Sequence, residues 1–123
     1  MLADPQTHII EAGGAILFAK LGTSLVGTCA LMHHGNGQFE LTKMGVTSDR
    51  QGAGFGAVLL TAAIERFQAL GGRELYLETN SVLKPAIKLY ERHGFVDQLQ
   101  RKPGSAYARS DVYMVWRDPK DRG

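Results

Sequence analysis

Residues 38–60 read QFELTKMGVTSDRQGAGFGAVLL. Two features of this stretch constrain the whole chain. The first is a change of parity. Phe39 and Leu41 fall on one side of an extended strand, Met44 and Val46 on the other. A strand has a side-chain period of two, so its apolar face changes sides between Leu41 and Met44. One inserted residue, a β-bulge, explains the flip; a strand buried on both faces is the alternative. The second feature is the run Gly52, Gly54, Gly56, followed at once by an apolar helix-like segment. The first N–H groups of a helix lack internal acceptors, and its dipole makes that end positive. Glycine lets the backbone approach an anion without a Cβ in the way. The loop therefore suits a phosphate or pyrophosphate, and a plain flexible turn is the competing reading.

Working outward, AILFAKL (15–21) and SLVGTCALMHH (24–34) read as strands joined by Gly22-Thr23. Gly35-Asn36-Gly37 is a tight-turn signal leading into the strand 38–47. Short turns between successive strands imply an antiparallel meander. A helix is predicted from about residue 54 to 70, because Leu60, Ala63, Ile64, Phe67 and Leu70 share one helical face and Gly71-Gly72 ends it. ELYLET (74–79) is a strand, and AIKLYERH (86–93) a short helix with Pro85 in its first turn, stopped by Gly94. FVDQL (95–99) and DVYMVW (111–116) are two last strands, separated by a polar loop. The order is β-β-β-α-β-α-β-β: an α/β (α+β) domain with a mixed sheet and two main helices. Residues 1–12 are expected to be a tail or a shortened N-terminal part of this single domain.

With 123 residues, 44% apolar and 21% charged, the chain is in the globular range and has one core. Fourteen basic against twelve acidic residues give a net charge of only +2, with no case for nucleic-acid binding. Cys29 is the one cysteine, so no intrachain disulfide is available. MLADPQTH has no basic segment leading into an apolar core, and no apolar run approaches a membrane span. The expectation is a cytoplasmic protein that works neither in nor on a membrane.

Several phosphate ligands compete for the loop. Gly52-Ala53-Gly54-Phe55-Gly56-Ala57 formally fits the dinucleotide pattern G-x-G-x-x-G/A. Antiparallel hairpins upstream and the five residues Thr47–Gln51 before the glycines argue against that reading. No Lys-Ser/Thr follows the last glycine, which excludes a Walker A loop. KMGVTSDRQGAGFGAVLL resembles the acetyl-CoA-binding motif of the GCN5-related N-acetyltransferases, Q/R-x-x-G-x-G/A after a strand. Gln51, Gly54 and Gly56 occupy its defined positions. The second signature of that family is a strand and a short helix ending L-Y-x-x-x-G-F. LYLETNSVLKPAIKLYERHGF (75–95) resembles it, with Leu89, Tyr90, Gly94 and Phe95 in place.

The resemblance implies a sheet that splays open at a bulged strand, with shortened N-terminal elements and acetyl-CoA in the cleft. The backbone of Met44, Gly45 and Val46 would pair with the pantetheine arm. N–H groups of Gln51, Gly52, Ala53, Gly54, Phe55, Gly56 and Ala57 would hold the pyrophosphate, and an N–H near Val46 would face the thioester carbonyl. Tyr90 matches the general acid, with a core tyrosine as the alternative. Glu40 matches a carboxylate base used by some members, with an exposed strand glutamate as the alternative. Asn80 is a candidate for reaching cofactor or acceptor, although many relatives place an asparagine where Leu83 stands. Glu78 either lines the acceptor side or caps a strand edge.

The remaining polar residues have plainer readings. Cys29 reads as a small core residue, His33 and His34 as exposed strand-end residues, and His93 as a favourable helix C-terminal cation. No metal-ligand spacing is present. Arg101, Lys102 and Arg109 flank a loop expected near the acceptor. The implied activity is transfer of an acetyl group from acetyl-CoA to a primary amine, on a small molecule or a peptide, by direct attack. The alternatives are a non-catalytic acyl-CoA-binding or regulatory domain, and a dinucleotide-binding fragment. The short N-terminal part further suggests a homodimer that completes the acceptor wall.

Overall fold

The computed structural model describes residues 7–12, 16–52 and 54–118, the first of these segments by its backbone alone. Among the described residues, seven strands form one sheet: β1 (Thr7–Ala12), β2 (Ile16–Leu21), β3 (Ser24–His33), β4 (Gln38–Val46), β5 (Glu74–Thr79), β6 (Phe95–Asp97) and β7 (Val112–Trp116). Their spatial order is β1-β2-β3-β4-β5-β7-β6. Two helices, α1 (Phe55–Ala69) and α2 (Lys84–Arg92), connect the second half. The tail expected over residues 1–12 is a strand from Thr7 onward, antiparallel to β2 from Thr7↔Leu21 to Ala12↔Ile16. The last two strands are shorter than expected, ending at Asp97 and starting at Val112.

The meander β1–β4 is antiparallel, as its short turns require. The β4–β5 pair is the sheet's one described parallel contact, made across α1, and it spans only Gln38↔Glu74 to Glu40↔Tyr76. Beyond that point β4 runs on to Val46, while β5 pairs with β7 from Tyr76↔Val115 to Thr79↔Val112. The two strands thus part after Glu40 and Tyr76 and leave a gap in the middle of the sheet. A single short parallel pair in a mostly antiparallel sheet is not the doubly wound architecture a dinucleotide fold needs.

One face of the sheet is covered. α1 buries Phe55, Leu59, Leu60, Ala63, Ile64 and Phe67 against Leu17, Cys29, Leu31, Phe39 and Leu41. Each fully buried leucine here contributes roughly 1.5–3 kcal/mol. The N–H of Gly72 bonds to the carbonyl of Phe67 and that of Gly71, at φ 72°, to Gln68, which closes the helix. α2 turns Tyr90 inward, edge-on to Phe95 with ring centroids 5.9 Å apart. Among the described residues no helix covers the opposite face. Its strands present Ile16, Met32, Glu40, Tyr76, Glu78 and Tyr113, and the loop 98–111 folds over part of it.

Candidate active site

The parity change in β4 is a bulge. Thr28 pairs with Gly45 and Ala30 with Thr42, so Cys29 alone faces both Lys43 and Met44. Lys43 takes φ 54°, a left-handed conformation uncommon outside glycine. The extra residue turns Met44 and Val46 toward the helices. Met44 Cε and Val46 Cγ2 lie 3.8 and 3.9 Å from where a Cβ on Gly56 would stand. Gly27, opposite Val46, has no room for a side chain: its Cβ would stand 2.7 Å from Leu59 Cδ1 and 3.0 Å from the Gly45 carbonyl oxygen.

After Val46 the chain makes a 3₁₀ turn (Ser48–Arg50) that the sequence pattern did not announce. Gln51 then reaches back, its Nε2 donating to the Val46 carbonyl at 3.1 Å. Gly52 and Gly54 take φ 85° and 91°, and a Cβ on Gly52 would meet nothing within 4 Å. Ala53 lies outside the described residues. The Val58 N–H closes onto the Gly54 carbonyl at 3.1 Å, so the N–H groups of Phe55, Gly56 and Ala57 precede the helix's own bonding pattern. The side chains of Phe55 and Ala57 are buried in the core, so the functional reading of these residues rests on their backbone N–H groups. Gly56 has a second duty. A Cβ there would come within 3.1 Å of Leu89 Cδ2, so α1 and α2 approach closely at this glycine.

Glu40 is the one charged side chain buried among the described residues, 3% exposed. Sequence reasoning left an exposed glutamate open as an alternative, and the burial rules it out. His34 Nε2 lies 2.9 Å from Glu40 Oε1, and the Tyr76 hydroxyl donates to the same oxygen at 3.3 Å. Glu40 opens on a cavity of about 300 Å³ lined by Met32, Leu41, Thr42, Lys43, Glu78, Tyr107 and Ser110. Tyr107 comes from the loop 98–111, and a bond to Glu40, then burial, push its phenol up. Burial first, then the Glu40 charge and bond, push the Tyr76 phenol up as well. Thr42 Oγ1 is buried with no partner among the described residues. Tyr76, Tyr107, Thr42 and Ser110 were not singled out from the sequence. Only Tyr76 carried a signal, its alternation with Glu78 on β5.

Tyr90 sits on the covered face, 8% exposed, and its hydroxyl has no hydrogen-bond partner among the described residues. Burial, then the neighbouring Cys29, raise its pKa, so the phenol keeps its proton at neutral pH. Cys29, the residue opposite the bulge, is fully buried, and its thiol is pushed up to about 12 by burial. That is an inert core thiol, as expected. Glu40 thus lies where β4 and β5 part, and Tyr90 lies beside Cys29 on the opposite, covered face of the sheet.

Asn80 has other engagements than a ligand. Its Nδ2 donates to the Arg109 carbonyl at 2.7 Å, and its Oδ1 accepts from the Val82 N–H at 3.0 Å. It ties the β5–α2 turn to the loop 98–111. Next to it, the Ser81 N–H and hydroxyl both donate to the Asp111 carboxylate, which lowers the Asp111 pKa. Glu78 accepts from Ser105 at 2.6 Å, so the loop is stitched to β5 along its length. Arg101 donates to the carbonyls of Ser110, Tyr107 and Ala108 from inside the loop. Lys102 Nζ stands 5.1 Å from the centre of the Tyr76 ring. These two cations build the loop. His93 Nδ1 bonds to the Leu89 carbonyl at 2.9 Å in the last turn of α2, in keeping with its helix-terminal reading. No group of three or more metal-ligating side chains occurs among the described residues, and no helix there is long and apolar enough to cross a membrane.

A bulged strand parting from a parallel neighbour, with a glycine-rich helix start beside the gap, defines the class of protein. The family model described as "Acetyltransferase (GNAT) family" matches residues 2–95, and the chain belongs to that family. It is 31% identical over 85 residues to the mycothiol acetyltransferase of Actinosynnema mirum, covering 69% of this chain and 29% of that one. It is 27% identical over 121 residues to N-acetyltransferase 8F1 of Rattus norvegicus, covering 94% of this chain and 51% of that one. The chain thus spans about half or less of the length of these curated relatives. Among solved structures, an acetyltransferase of Bacillus subtilis in complex with CoA superposes with a TM-score of 0.72 at 22% identity, over 84% of this chain and 76% of that one.

Proposed function

We propose that the chain moves an acetyl group from acetyl-CoA to a primary amine by direct attack, in the cytoplasm. The observation that carries this reading is the gap between β4 and β5, with Glu40 where the strands part, Tyr90 on the opposite face of the sheet and the glycine loop after β4. The donor site fits its group: Gly52 has empty space where a side chain would stand, and the free N–H groups that open α1 suit a pyrophosphate. Backbone of Met44, Gly45 and Val46 beyond the last β4–β5 pair is available to an extended arm. Acetyl-CoA supplies an activated acetyl thioester. Glu40 takes a proton from the incoming ammonium. Tyr90, holding its proton at neutral pH, delivers one to the departing thiolate. The cavity beside Glu40 is at the small end of ligand sites, so it suits a small amine or the end residue of a peptide.

The helix-free face beside this cavity favours one second reading, an acyl-CoA-binding domain without turnover. Calorimetric titration with CoA, acetyl-CoA and NAD tests the donor, and binding of NAD without CoA would sink the proposal. Thiol release from acetyl-CoA with phenethylamine, 1,4-diaminobutane and glycinamide separates enzyme from sensor. A homodimer is the assembly proposed, in line with the exposed Ile16 and Met32 on the same face. Sedimentation as a monomer at micromolar concentration removes it.

A further inference from the structure

We infer that His34 is the outlet of a proton path that begins at Glu40. The inference rests on the base role proposed for Glu40 and extends it to a residue outside the cavity. A buried base that takes a proton in each turnover must shed it before the next. Glu40 lines the inner cavity, and its side chain is only 4% exposed; that of His34 is 34% exposed. His34 lines a second, outer depression of about 510 Å³ with Gly35, Asn36, Gln38, Arg73 and Glu74. The two recesses share no lining residue, and the 2.9 Å contact between His34 Nε2 and Glu40 Oε1 joins them.

The turn fixes this contact. The His34 N–H bonds to the Gln38 carbonyl at 2.8 Å and the Gln38 N–H to the Gly35 carbonyl at 3.0 Å. Gly35, Asn36 and Gly37 all take positive φ, so the chain reverses tightly enough to lay residue 34 over residue 40. His33, by contrast, stacks on Phe39 at 4.5 Å, away from the carboxylate.

The surrounding groups leave one acceptor. Around Glu40 stand the Tyr76 phenol, which donates to it, and the Tyr107 phenol in the same cavity wall; both are pushed up and hold their protons at neutral pH. Glu78 and Lys43 share the cavity, and Lys102 covers Tyr76. Around His34 stand Tyr76, with ring centroids 5.9 Å apart, and Arg73 and Glu74 across the depression. Among the hydrogen-bond partners of Glu40, only the imidazole has two ring nitrogens, one to accept a proton and one to release it.

Each step moves one proton and breaks no bond between heavy atoms. The ammonium gives a proton to the Glu40 carboxylate. The carboxyl passes it to Nε2 of the neutral ring in its Nδ1–H tautomer, and the Nδ1 proton leaves to water in the outer depression. This leaves the Nε2–H tautomer paired with the ionised carboxylate, and proton exchange with solvent returns the ring to the Nδ1–H tautomer before the next turnover.

The test uses the whole chain, acetyl-CoA and whichever of phenethylamine, 1,4-diaminobutane or glycinamide it turns over fastest. His34→Gln keeps a donor for Glu40 and cannot relay; kcat at pH 7 is expected to fall at least about tenfold. KM for acetyl-CoA should be unchanged, and the deficit should narrow toward pH 9. His34→Ala should lose the same activity and regain it in tens of millimolar imidazole, which the open depression admits. Unchanged CoA affinity by calorimetry shows that both variants are folded. A His34→Gln enzyme with the parent's kcat and pH profile, or a His34→Ala enzyme deaf to imidazole, overturns the relay. If Glu40→Gln slows turnover while the His34 variants do not, the relay alone falls. If Glu40→Gln leaves kcat intact, or none of the three amines is acetylated, the base and the relay fall together.

Discussion

At the scale of single residues, the two faces of the sheet make different demands. Tyr90→Phe removes an oxygen that bonds to nothing among the described residues, so folding should be indifferent. The expected result is a kcat reduced about 10²–10³-fold with KM for acetyl-CoA unchanged. Stopped-flow thiol release measures both, and full turnover in the variant at every pH would end the general-acid assignment. Glu40→Gln should lower kcat by about two orders of magnitude at neutral pH and move the pH–rate profile upward, because only pre-deprotonated amine then reacts. The position of Tyr90 was legible through the L-Y-x-x-x-G-F signature, and that of Glu40 on its strand through the alternation around it. The burial of Glu40 was not, because its partners come from His34, six residues before it, and Tyr76, thirty-six after it. Asn80 shows the converse: a polar residue at a strand end looks like a ligand group until its amide is seen holding Arg109 and Val82.

At the scale of elements, β4 is two strands of opposite parity joined at Lys43. The left-handed φ there costs a non-glycine residue about 1 kcal/mol, so Lys43→Gly should raise stability by roughly that amount in chemical denaturation. Removing Lys43 altogether should turn Met44 and Val46 away from the helices and abolish CoA binding in the same titration that detects it in the parent. Gly27→Ala is expected to destabilise by about 1–3 kcal/mol, since its Cβ collides with Leu59 and the Gly45 carbonyl. The bulge was legible because parity is a local property of eight residues. The gap was not, because where the β4–β5 pairing stops is settled between residues far apart in the chain, Glu40 and Tyr76. β1 was missed because THIIEA has no clean alternation and sits at the edge, where pairing with β2 decides its state.

At the scale of the whole molecule, acid–base linkage gives an alkaline limit. Burial raises the Cys29 thiol from 9.0 to about 12 and also raises Tyr76, Tyr90 and Tyr113. The unfolded chain releases these protons first, so stability is full below pH 9 and falls as pH rises toward 12. For Cys29 alone the interval corresponds to on the order of 4 kcal/mol. Urea unfolding at pH 8, 9.5 and 11 should show the midpoint dropping, and Cys29→Ala should flatten part of the slope. A midpoint independent of pH over that range would contradict the burial of these groups.

The way the loop 98–111 is held has a consequence for descent. Arg101 gathers three of the loop's own carbonyls, while Asn80, Ser81 and Glu78 fasten it to β5 and the turn beyond. Its shape is therefore set from within and by its anchors, and the side chains of Tyr107 and Ser110, which face the cavity, take no part in those bonds. Such a segment is a cassette. Selection can exchange its cavity-facing side chains while the sheet, the bulge and the glycine loop stay as they are.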